Sequence, residues 1–219
     1  MARAPMKVLI LGAGGHAKVV FDALLSSGTA VEDIIGFADD DPARVGATLM
    51  GRPVLAGLDT LSMAGDVRVA MAIGDNAARR RQFDRAVAHG YEPVTVVHSS
   101  AIIGQGCVLG RGVVVFANVV INASSQIGDN VILNTACSVD HDCVIGAHAH
   151  LGPGVRLAGG VTIGAGAQLG VGAAVIPGVV IGAGAVIGAG AVVIRPIPAN
   201  TTAVGVPAHV IKQKEPVGE

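Results

Sequence analysis

The sequence contains very few aromatic residues. Tryptophan is absent, and one tyrosine and four phenylalanines are present among 219 residues. Large rings therefore cannot fill the core, and the many aliphatic residues must stack on one another, as they do in repeat arrays. The net charge is −1 and no basic stripe occurs. Together with the scarcity of stacking side chains, this argues against a nucleic-acid-binding protein.

Long apolar runs and cysteine are also scarce. Gly or charged residues interrupt every hydrophobic stretch well before the length of a membrane span. The N-terminal apolar run lacks a cleavage-site pattern, so we expect a cytoplasmic protein that does not bind membranes. The three cysteines share one phase of a repeat, in a position used elsewhere by Val or Ala. We interpret Cys107, Cys137 and Cys143 as small buried residues rather than disulfides, metal ligands or nucleophiles.

The sequence does contain a long six-residue repeat. Every sixth residue from Ile103 to Val193 is Leu, Ile or Val, without a break. A short repeat that keeps its phase over this length is typical of a solenoid. Three six-residue faces would close one coil, and about five coils would stack roughly 4.8 Å apart. We expect these aliphatic anchors to point inward, and the frequent glycines to form corners where a missing Cβ tolerates positive φ.

The residues before position 98 predict a different kind of domain. Short apolar runs alternate with two helical segments, at about 16–26 and 77–89. This alternation indicates a small parallel sheet. The predicted strands are 7–11, 34–38, 53–55, 67–73 and 94–97. We therefore predict a Rossmann-like α/β domain over 1–98, a coil over 99–195 and a C-terminal cap or tail over 196–219.

Ligands of such sheets bind at the carboxyl ends of the strands. These ends carry residues 12–16 (GAGGH), 39–41 and 74–76. The first segment follows a strand and opens a helix, where backbone N–H groups can hold phosphate. It also fits the dinucleotide fingerprint, with Asp39 or Asp40 on a ribose. However, NAD requires a larger sheet than about 97 residues readily supply.

One polar segment, residues 138–142 (SVDHD), interrupts the neutral coil. It contains two of the three acidic residues between Ile103 and Val193. A carboxylate beside the imidazole of His141 favours the protonated form and can fix the tautomer of the ring. These are properties of a general base. A chance histidine on a solvated corner is the alternative.

The whole chain resembles a known family. The hexads, closed by residues 198–200 (PAN) and 205–208 (GVPA), resemble the hexapeptide-repeat acyltransferases. The N-terminal motifs and residues 134–146 (NTACSVDHDCVIG) are similar to the nucleotide-sugar branch, which includes bacillosamine- and perosamine-type N-acetyltransferases and sialic-acid O-acetyltransferases. The resemblance implies a left-handed parallel β-helix, a homotrimer, acetyl-CoA as co-substrate and no metal. The acceptor would be an amino sugar linked to a nucleotide, with GDP-perosamine favoured.

The resemblance also implies roles for particular residues. His141 would be the general base, Asp142 would polarise it, and Asn134 would lie in the site. The family acid is often Glu, so the shorter Asp142 could contact His141 directly, through water or not at all. Asn134 could instead be a left-handed corner residue. The implied acetyl-CoA contacts are His150, Gly159, Val171 and Ala189, of which the last three could be ordinary corner residues.

The reaction implied is attack of the sugar amine on the thioester, without an acyl-enzyme. A backbone N–H within residues 157–160 could stabilise the oxyanion. The glycine-rich turn would then hold the diphosphate or sugar of the nucleotide-sugar. The expected substrate contacts are Gly14, Gly15, His16, Asp39 and Asp40.

Three alternatives stay open. The residues do not separate N-acetylation from O-acetylation of a sugar hydroxyl. His148 and His150 form a His-x-His pair that, with His141, could bind a metal as in γ-type carbonic anhydrases. Finally, the protein could be a non-catalytic nucleotide-sugar sensor whose coil serves only to trimerise.

Overall fold

The computed structural model describes residues 7–61 and 66–213. Within these residues, an N-terminal α/β domain is followed by a parallel β-coil, as predicted. Two 3₁₀ turns occur, at Val31–Asp33 and Leu58–Thr60. The elements of the first domain are β1 (Lys7–Leu11), α1 (Gly15–Ser26), β2 (Ile34–Asp39), β3 (Thr48–Leu49), β4 (Arg52–Ala56), β5 (Val67–Met71), α2 (Asn76–Ala88) and β6 (Glu92–Pro93).

The first domain is a six-stranded sheet in the order β3-β4-β2-β1-β5-β6. All pairs are parallel except β3 with β4. Strand β1 is apolar throughout its interior because both faces of the sheet are covered. Val8 and Ile10 pack with α1, whereas Leu9 and Leu11 pack with Phe83 of α2.

Two predicted strands are longer than the strands in the structure. The strand predicted over 67–73 ends at Met71, because the next residues lead into α2, whose first turn is capped by Asp75 (Ala78 N to Asp75 Oδ1, 2.8 Å). The strand predicted over 94–97 comprises only Val96–Val97. The N–H of Val94 instead donates to Val69 O beside β5.

The coil has three faces built from two-residue strands. Each strand pairs in parallel with the strand one coil later, as Val114 does with Ile132. The first face contains β7 (Val96–Val97), β10 (Val114–Val115), β13 (Ile132–Leu133), β16 (His150–Leu151), β19 (Gln168–Leu169), β22 (Val186–Ile187), β24 (Thr201–Val204) and β25 (His209–Gln213). The second contains β8 (Ile102–Ile103), β11 (Val120–Ile121), β14 (Ser138–Val139), β17 (Arg156–Leu157), β20 (Ala174–Val175) and β23 (Val192–Val193). The third contains β9 (Val108–Leu109), β12 (Gln126–Ile127), β15 (Val144–Ile145), β18 (Thr162–Ile163) and β21 (Val180–Ile181).

Most of the aliphatic anchors form one continuous buried core inside the coil. We name its corners by the faces they join: corner A lies between the first and second faces, corner B between the second and third, and corner C between the third and first. The N-terminal domain covers the early part of the first face, where Val114 and Ile132 pack into the core of α1. The coil therefore presents corner B on the side opposite the N-terminal domain.

The glycines that follow the anchors have a role different from the one predicted. A Cβ on Gly128 would lie 2.7 Å from Ala147 N of the next coil, and one on Gly170 would lie 2.6 Å from Ala189 N. These glycines permit close stacking of the coils. Positive φ occurs three residues after an anchor. There it falls on glycines such as Gly166 (67°), as predicted for the corners, and on other residues such as Asp142 (56°) and His148 (62°).

The C-terminal segment closes the coil. Strand β24 extends the first face beyond β22, and β25 folds back antiparallel against β24. Residues 214–219 of the predicted tail, and the first six residues of the predicted α/β domain, lie outside the described residues. No helix among residues 7–61 and 66–213 has the length and apolar character needed to cross a membrane.

Candidate active site

A cavity of about 350 Å³ opens at the carboxyl ends of the N-terminal strands. It is the place at which a parallel sheet binds its ligands. The glycine-rich turn and the N-terminus of α1 form one wall, and Arg44, Gly57 and Gly74 lie on others. All of the substrate contacts expected from the sequence line this cavity, namely Gly14, Gly15, His16, Asp39 and Asp40.

Both aspartates of the cavity are held by neighbouring donors. Asp39 Oδ2 accepts from Ala13 N at 2.7 Å and from Arg44 Nη1 at 3.1 Å. Asp40 Oδ2 accepts from Gln82 and from Arg85, at 2.5 and 2.7 Å. Asp39 therefore fixes the conformation of the glycine-rich turn, so its carboxylate is part of the wall rather than a mobile surface charge.

His16 connects the cavity to the coil. Its ring makes an edge contact with Phe116, with ring centroids 5.2 Å apart. Burial, and secondarily the charge of Arg79, lowers the pKa of His16 to about 4. His16 is therefore neutral at pH 7, and its buried Nε2 has no hydrogen-bond partner among the described residues.

His141 lies on corner B with an exposed ring. Its Nδ1 is 2.8 Å from Asp142 Oδ2, so the contact that the sequence left open is direct. This hydrogen bond, and then the charge of Asp140, raises the pKa of His141 above its usual value. Asp140 is itself held by Asn122 Nδ2 at 2.9 Å and accepts from His141 N at 2.8 Å. The carboxylate of Asp142 orients the ring and leaves Nε2 free to accept a proton.

Gly159 lies directly beneath the His141 ring, one coil later. A Cβ at position 159 would lie 2.6 Å from both Cε1 and Nε2 of the ring. The N–H of Gly159 donates to no acceptor among the described residues. The His141 ring therefore packs on a residue without a side chain, whose N–H is available to a bound ligand.

Asn134 and His150 form a second hydrogen-bonded pair, on corner A and the first face. His150 Nδ1 lies 3.3 Å from Gly74 O, and Nε2 lies 3.2 Å from Asn134 Nδ2. Asn134 Oδ1 accepts from Thr135 N at 2.8 Å. The left-handed residue of this corner is Ala136 (φ 57°), not Asn134, so the corner-conformation alternative for Asn134 is wrong.

Within one chain the predicted residues fall into two groups. Asn134 and His150 adjoin the N-terminal cavity through Gly74, and His150 is 6.2 Å from His16 between ring centroids. Val171 and Ala189 are exposed on corner A, in later coils. His141, Asp142 and Gly159 lie on corner B. Because corner B is opposite the face that the N-terminal domain covers, one chain does not bring His141 to the cavity.

The three histidines of the metal alternative have separate partners. His148 Nδ1 lies 2.9 Å from Asn130 Nδ2 on corner C, His150 contacts Gly74 and Asn134, and His141 is on corner B. In the described part of the chain, no group of three or more His, Cys, Asp or Glu side chains is placed to hold a metal ion. The imidazoles therefore do not converge in one chain.

Two of the three cysteines are buried as predicted. Burial raises the pKa of the Cys137 thiol to about 12 and that of Cys143 above its usual value. Cys107 is only partly buried, which corrects the prediction. It belongs to the first coil of the third face, where no earlier coil covers it.

Two features of the site were not predicted. Arg79 of α2 is completely buried between the two domains. A second groove of about 510 Å³ lies between the start of α2 and corner C, lined by Asn76, Arg80, His148 and Gln168 among others. Both arise from docking of one domain on the other, which no local sequence pattern encodes.

Comparisons with known proteins agree with this architecture. The family model "PglD N-terminal domain" matches residues 7–86, and "Bacterial transferase hexapeptide (six repeats)" matches residues 124–159 and 160–195. The crystal structure of PerB from Caulobacter crescentus, in complex with CoA and GDP-perosamine, is 44% identical, with a TM-score of 0.85. That match covers 94% of this chain and 97% of PerB, and confirms the predicted left-handed parallel β-helix.

Two further relatives are informative. The acetyltransferase domain of PglB from Neisseria gonorrhoeae, in complex with acetyl coenzyme A, is 35% identical, with a TM-score of 0.85, over 94% of this chain and 98% of that domain. The GDP-perosamine N-acetyltransferase of Escherichia coli O157:H7 is 35% identical over 89 residues. That alignment covers 41% of this chain and 40% of the relative, so less than half of this curated relative is matched.

Proposed function

Because this chain belongs to the nucleotide-sugar branch of the hexapeptide-repeat acetyltransferases, we propose that it is an acetyl-CoA-dependent N-acetyltransferase. Its acceptor is the amino group of a nucleotide-linked amino sugar. GDP-perosamine is the best candidate, because PerB, crystallised with CoA and GDP-perosamine, is 44% identical across nearly the whole chain. The reaction takes place in the cytoplasm, where acetyl-CoA is available.

The hydrogen-bonded His141–Asp142 pair above Gly159 carries this proposal. The sugar amine attacks the thioester carbonyl carbon, and the new C–N bond forms as the nitrogen loses a proton to His141 Nε2. Asp142 accepts from Nδ1–H and stabilises the imidazolium that results. The N–H of Gly159 stabilises the developing oxyanion. Collapse of the tetrahedral intermediate breaks the C–S bond, and the proton held by His141 can pass to the CoA sulfur.

The N-terminal cavity supplies the site for the nucleotide-sugar. Backbone N–H groups at the start of α1, around Gly14 and Gly15, face an anionic ligand with the positive end of the helix dipole. The carboxylate of Asp39 keeps this turn in place (Ala13 N to Asp39 Oδ2, 2.7 Å). Neutral His16, at the base of the cavity, would contact the substrate without adding charge.

A homotrimer would complete the site. The cavity, Asn134 and His150 lie on one side of the coil, and His141 with Gly159 lies on the opposite corner. A second copy must therefore bring its corner B to corner A of the first. Acetyl-CoA would then run between Val171 and Ala189 of one copy and Gly159 of the next.

A panel of acceptors tests the function. The purified chain is incubated with acetyl-CoA, a thiol reagent and GDP-, UDP- or dTDP-linked 4-amino sugars, each paired with the corresponding hydroxy sugar. We expect free CoA only with amino sugars, and fastest with GDP-perosamine. Release with the hydroxy sugars would indicate O-acetylation. No release with any acceptor, although the nucleotide-sugars bind, would leave the protein as a sensor.

A further inference from the structure

Arg79 is the largest fully buried side chain in the described residues. It extends from α2 into the contact between the two domains and donates to six oxygen atoms. These are Asn130 O (3.1 Å, from Nε), Ile73 O and Gly74 O (both 3.2 Å, from Nη1), and Asn76 Oδ1 (2.8 Å), His148 O (2.8 Å) and Ala149 O (3.3 Å) from Nη2.

None of these six acceptors is a carboxylate, and no ion pair of Arg79 occurs within the described residues. Burying a guanidinium without a carboxylate in direct contact is costly. The cost is visible as a pKa lowered by burial to about 10, although the charge of Asp75 acts in the opposite direction. Arg79 therefore carries its positive charge at pH 7 in a poorly solvated place. Its field acts on nearby groups with little screening by solvent.

His150 is one of the groups that Arg79 affects. Gly74 O accepts both from Arg79 Nη1 and from His150 Nδ1, so the guanidinium and the imidazole share one carbonyl. A carbonyl can only accept, so the proton of His150 is on Nδ1. Its Nε2 is then the acceptor for Asn134 Nδ2–H. Thr135 N bonds Asn134 Oδ1, which fixes the amide in this orientation.

We infer that Arg79 is a positioning residue for the acceptor site: it holds Gly74 O in place and keeps His150 as the neutral Nδ1–H tautomer, so that Asn134 presents one free amide N–H to the substrate. If His150 were protonated, its Nε2–H would point at the amide N–H of Asn134. Two donors would then face each other, and the Asn134 amide would rotate to present its oxygen to the ring. The inference rests on the proposed function only for the statement that Asn134 faces substrate.

The surroundings of His150 are consistent with this role. Burial lowers the pKa of His150 most, followed by the positive charge of Arg79 from α2 and by His16 from α1 when that ring is protonated. These effects outweigh the opposing hydrogen bond to Gly74 O, so that the pKa falls to about 4. The neighbours of His150 on the first face of the coil, Ile132 and Gln168, are uncharged. Every charged or titratable group that acts on the ring from a packed element therefore disfavours its protonation.

The first test uses the unmodified protein. The full chain is labelled with ¹⁵N-histidine, and the His150 resonances are assigned by their loss in His150→Gln. We expect the Nδ1–H tautomer, unchanged between about pH 5 and pH 9, since the pKa lies below this range. An Nε2–H tautomer, or titration of His150 near the ordinary histidine pKa, would overturn the inference. This outcome can be observed without any Arg79 variant.

The second test changes the charge. Arg79→Met removes the charge, Arg79→Lys keeps it, and Arg81→Met removes an exposed charge from the same helix as a control. We expect the pKa of His150 to rise by about one unit or more in Arg79→Met, and to stay low in Arg79→Lys and Arg81→Met. A folded Arg79→Met protein in which the pKa of His150 is unchanged would contradict the inference. If Arg79→Met does not fold, the inference is tested by the tautomer and pKa of His150 in the unmodified protein and in Arg79→Lys.

Turnover separates this inference from the proposed function. We expect kcat/KM for the amino-sugar nucleotide to fall at least about tenfold in Arg79→Met, to recover in part in Arg79→Lys and to be unchanged in Arg81→Met. If the wild-type protein shows the expected tautomer but releases no CoA with any acceptor, the enzymatic function fails while the control of His150 by Arg79 stands.

Discussion

The His141 ring lies over Gly159 so closely that residue 159 can have no side chain. A Cβ there would be 2.6 Å from Nε2, the atom that receives the proton in the proposed mechanism. We expect Gly159→Ala to rotate or lift the ring and to lower kcat by about 10²-fold, because misplacement of about 1 Å has that effect. Steady-state kinetics measure this, with Gly166→Ala as control.

The control adds a methyl group to a corner of the coil without a clash. Gly166 has φ of 67°, a Cβ there would have no atom within 4 Å, and the residue lies on corner C. Its replacement costs about 1 kcal/mol of stability through the left-handed backbone. Loss of activity in Gly166→Ala comparable to that in Gly159→Ala would mean that the effect comes from the coil and not from the ring of His141.

Removal of the base itself gives a second prediction. His141 is exposed and supports no core packing, so His141→Asn should keep the oligomeric state of the unmodified protein, its melting temperature and the binding of both proposed substrates. We expect kcat to fall about 10²- to 10⁴-fold, the contribution usual for a general base. The matched control is His209→Asn, an exposed histidine of β25. Near-normal turnover of His141→Asn would remove His141 from the mechanism.

The pH dependence of catalysis follows from Asp142. Its hydrogen bond raises the pKa of His141, so part of the base is protonated at pH 7 and kcat/KM should increase with pH through that raised pKa. Asp142→Asn removes the negative partner, so the pKa falls toward 6.5 and the acid limb moves to lower pH. At high pH the variant should still be slower, because the ring is less well oriented. An acid limb that does not move would show that another group titrates.

The buried thiols predict the kinetic mechanism. With a pKa of about 12, Cys137 has almost no thiolate at pH 7, and Cys143 is shifted in the same direction. We therefore expect no acetyl-enzyme, and initial-rate patterns of a ternary complex. Cys137→Ala and Cys143→Ala should retain activity within about twofold, since Ala fills the same slot in other coils. Acetyl label retained on the protein after removal of acetyl-CoA would contradict this.

The repeat made the coil predictable, because every hexad has an aliphatic anchor at the same position. Most of the anchors are buried for that reason, and His141 stands out because it departs from the repeat. The sequence does not distinguish a glycine that avoids the next coil, such as Gly128, from one that adopts positive φ, such as Gly166. That distinction depends on the phase of the backbone at each corner, which only coordinates supply.

The contact between the domains was not predictable. Arg79 occurs in a helix with several other arginines, and nothing in residues 76–88 marks it as buried. Five of its six partners are backbone carbonyls, up to 70 residues away along the chain. Such a site has no sequence motif, because every residue has a backbone carbonyl whatever its side chain. The tautomer of His150 depends on Gly74 O in the same way, so the acceptor side of the site emerged only from the fold.

A substitution at Asp39 tests whether the nucleotide-sugar and acetyl-CoA bind at separate places, as proposed. Its carboxylate holds Ala13 N and Arg44, so Asp39→Asn replaces one charged acceptor by an amide and loosens the glycine-rich turn. We expect KM for the nucleotide-sugar to rise about tenfold, because a hydrogen bond to a charged group is worth about 1.5–3 kcal/mol. KM for acetyl-CoA should not change, because none of Val171, Ala189 and Gly159, between which acetyl-CoA is proposed to lie, lines the cavity next to the turn. Asp33→Asn, which removes an ion pair with Lys7 at the amino ends of the same strands, is the control. If both KM values rise together in Asp39→Asn, the turn does not serve the nucleotide-sugar alone, and the division of the site between the two domains must be redrawn.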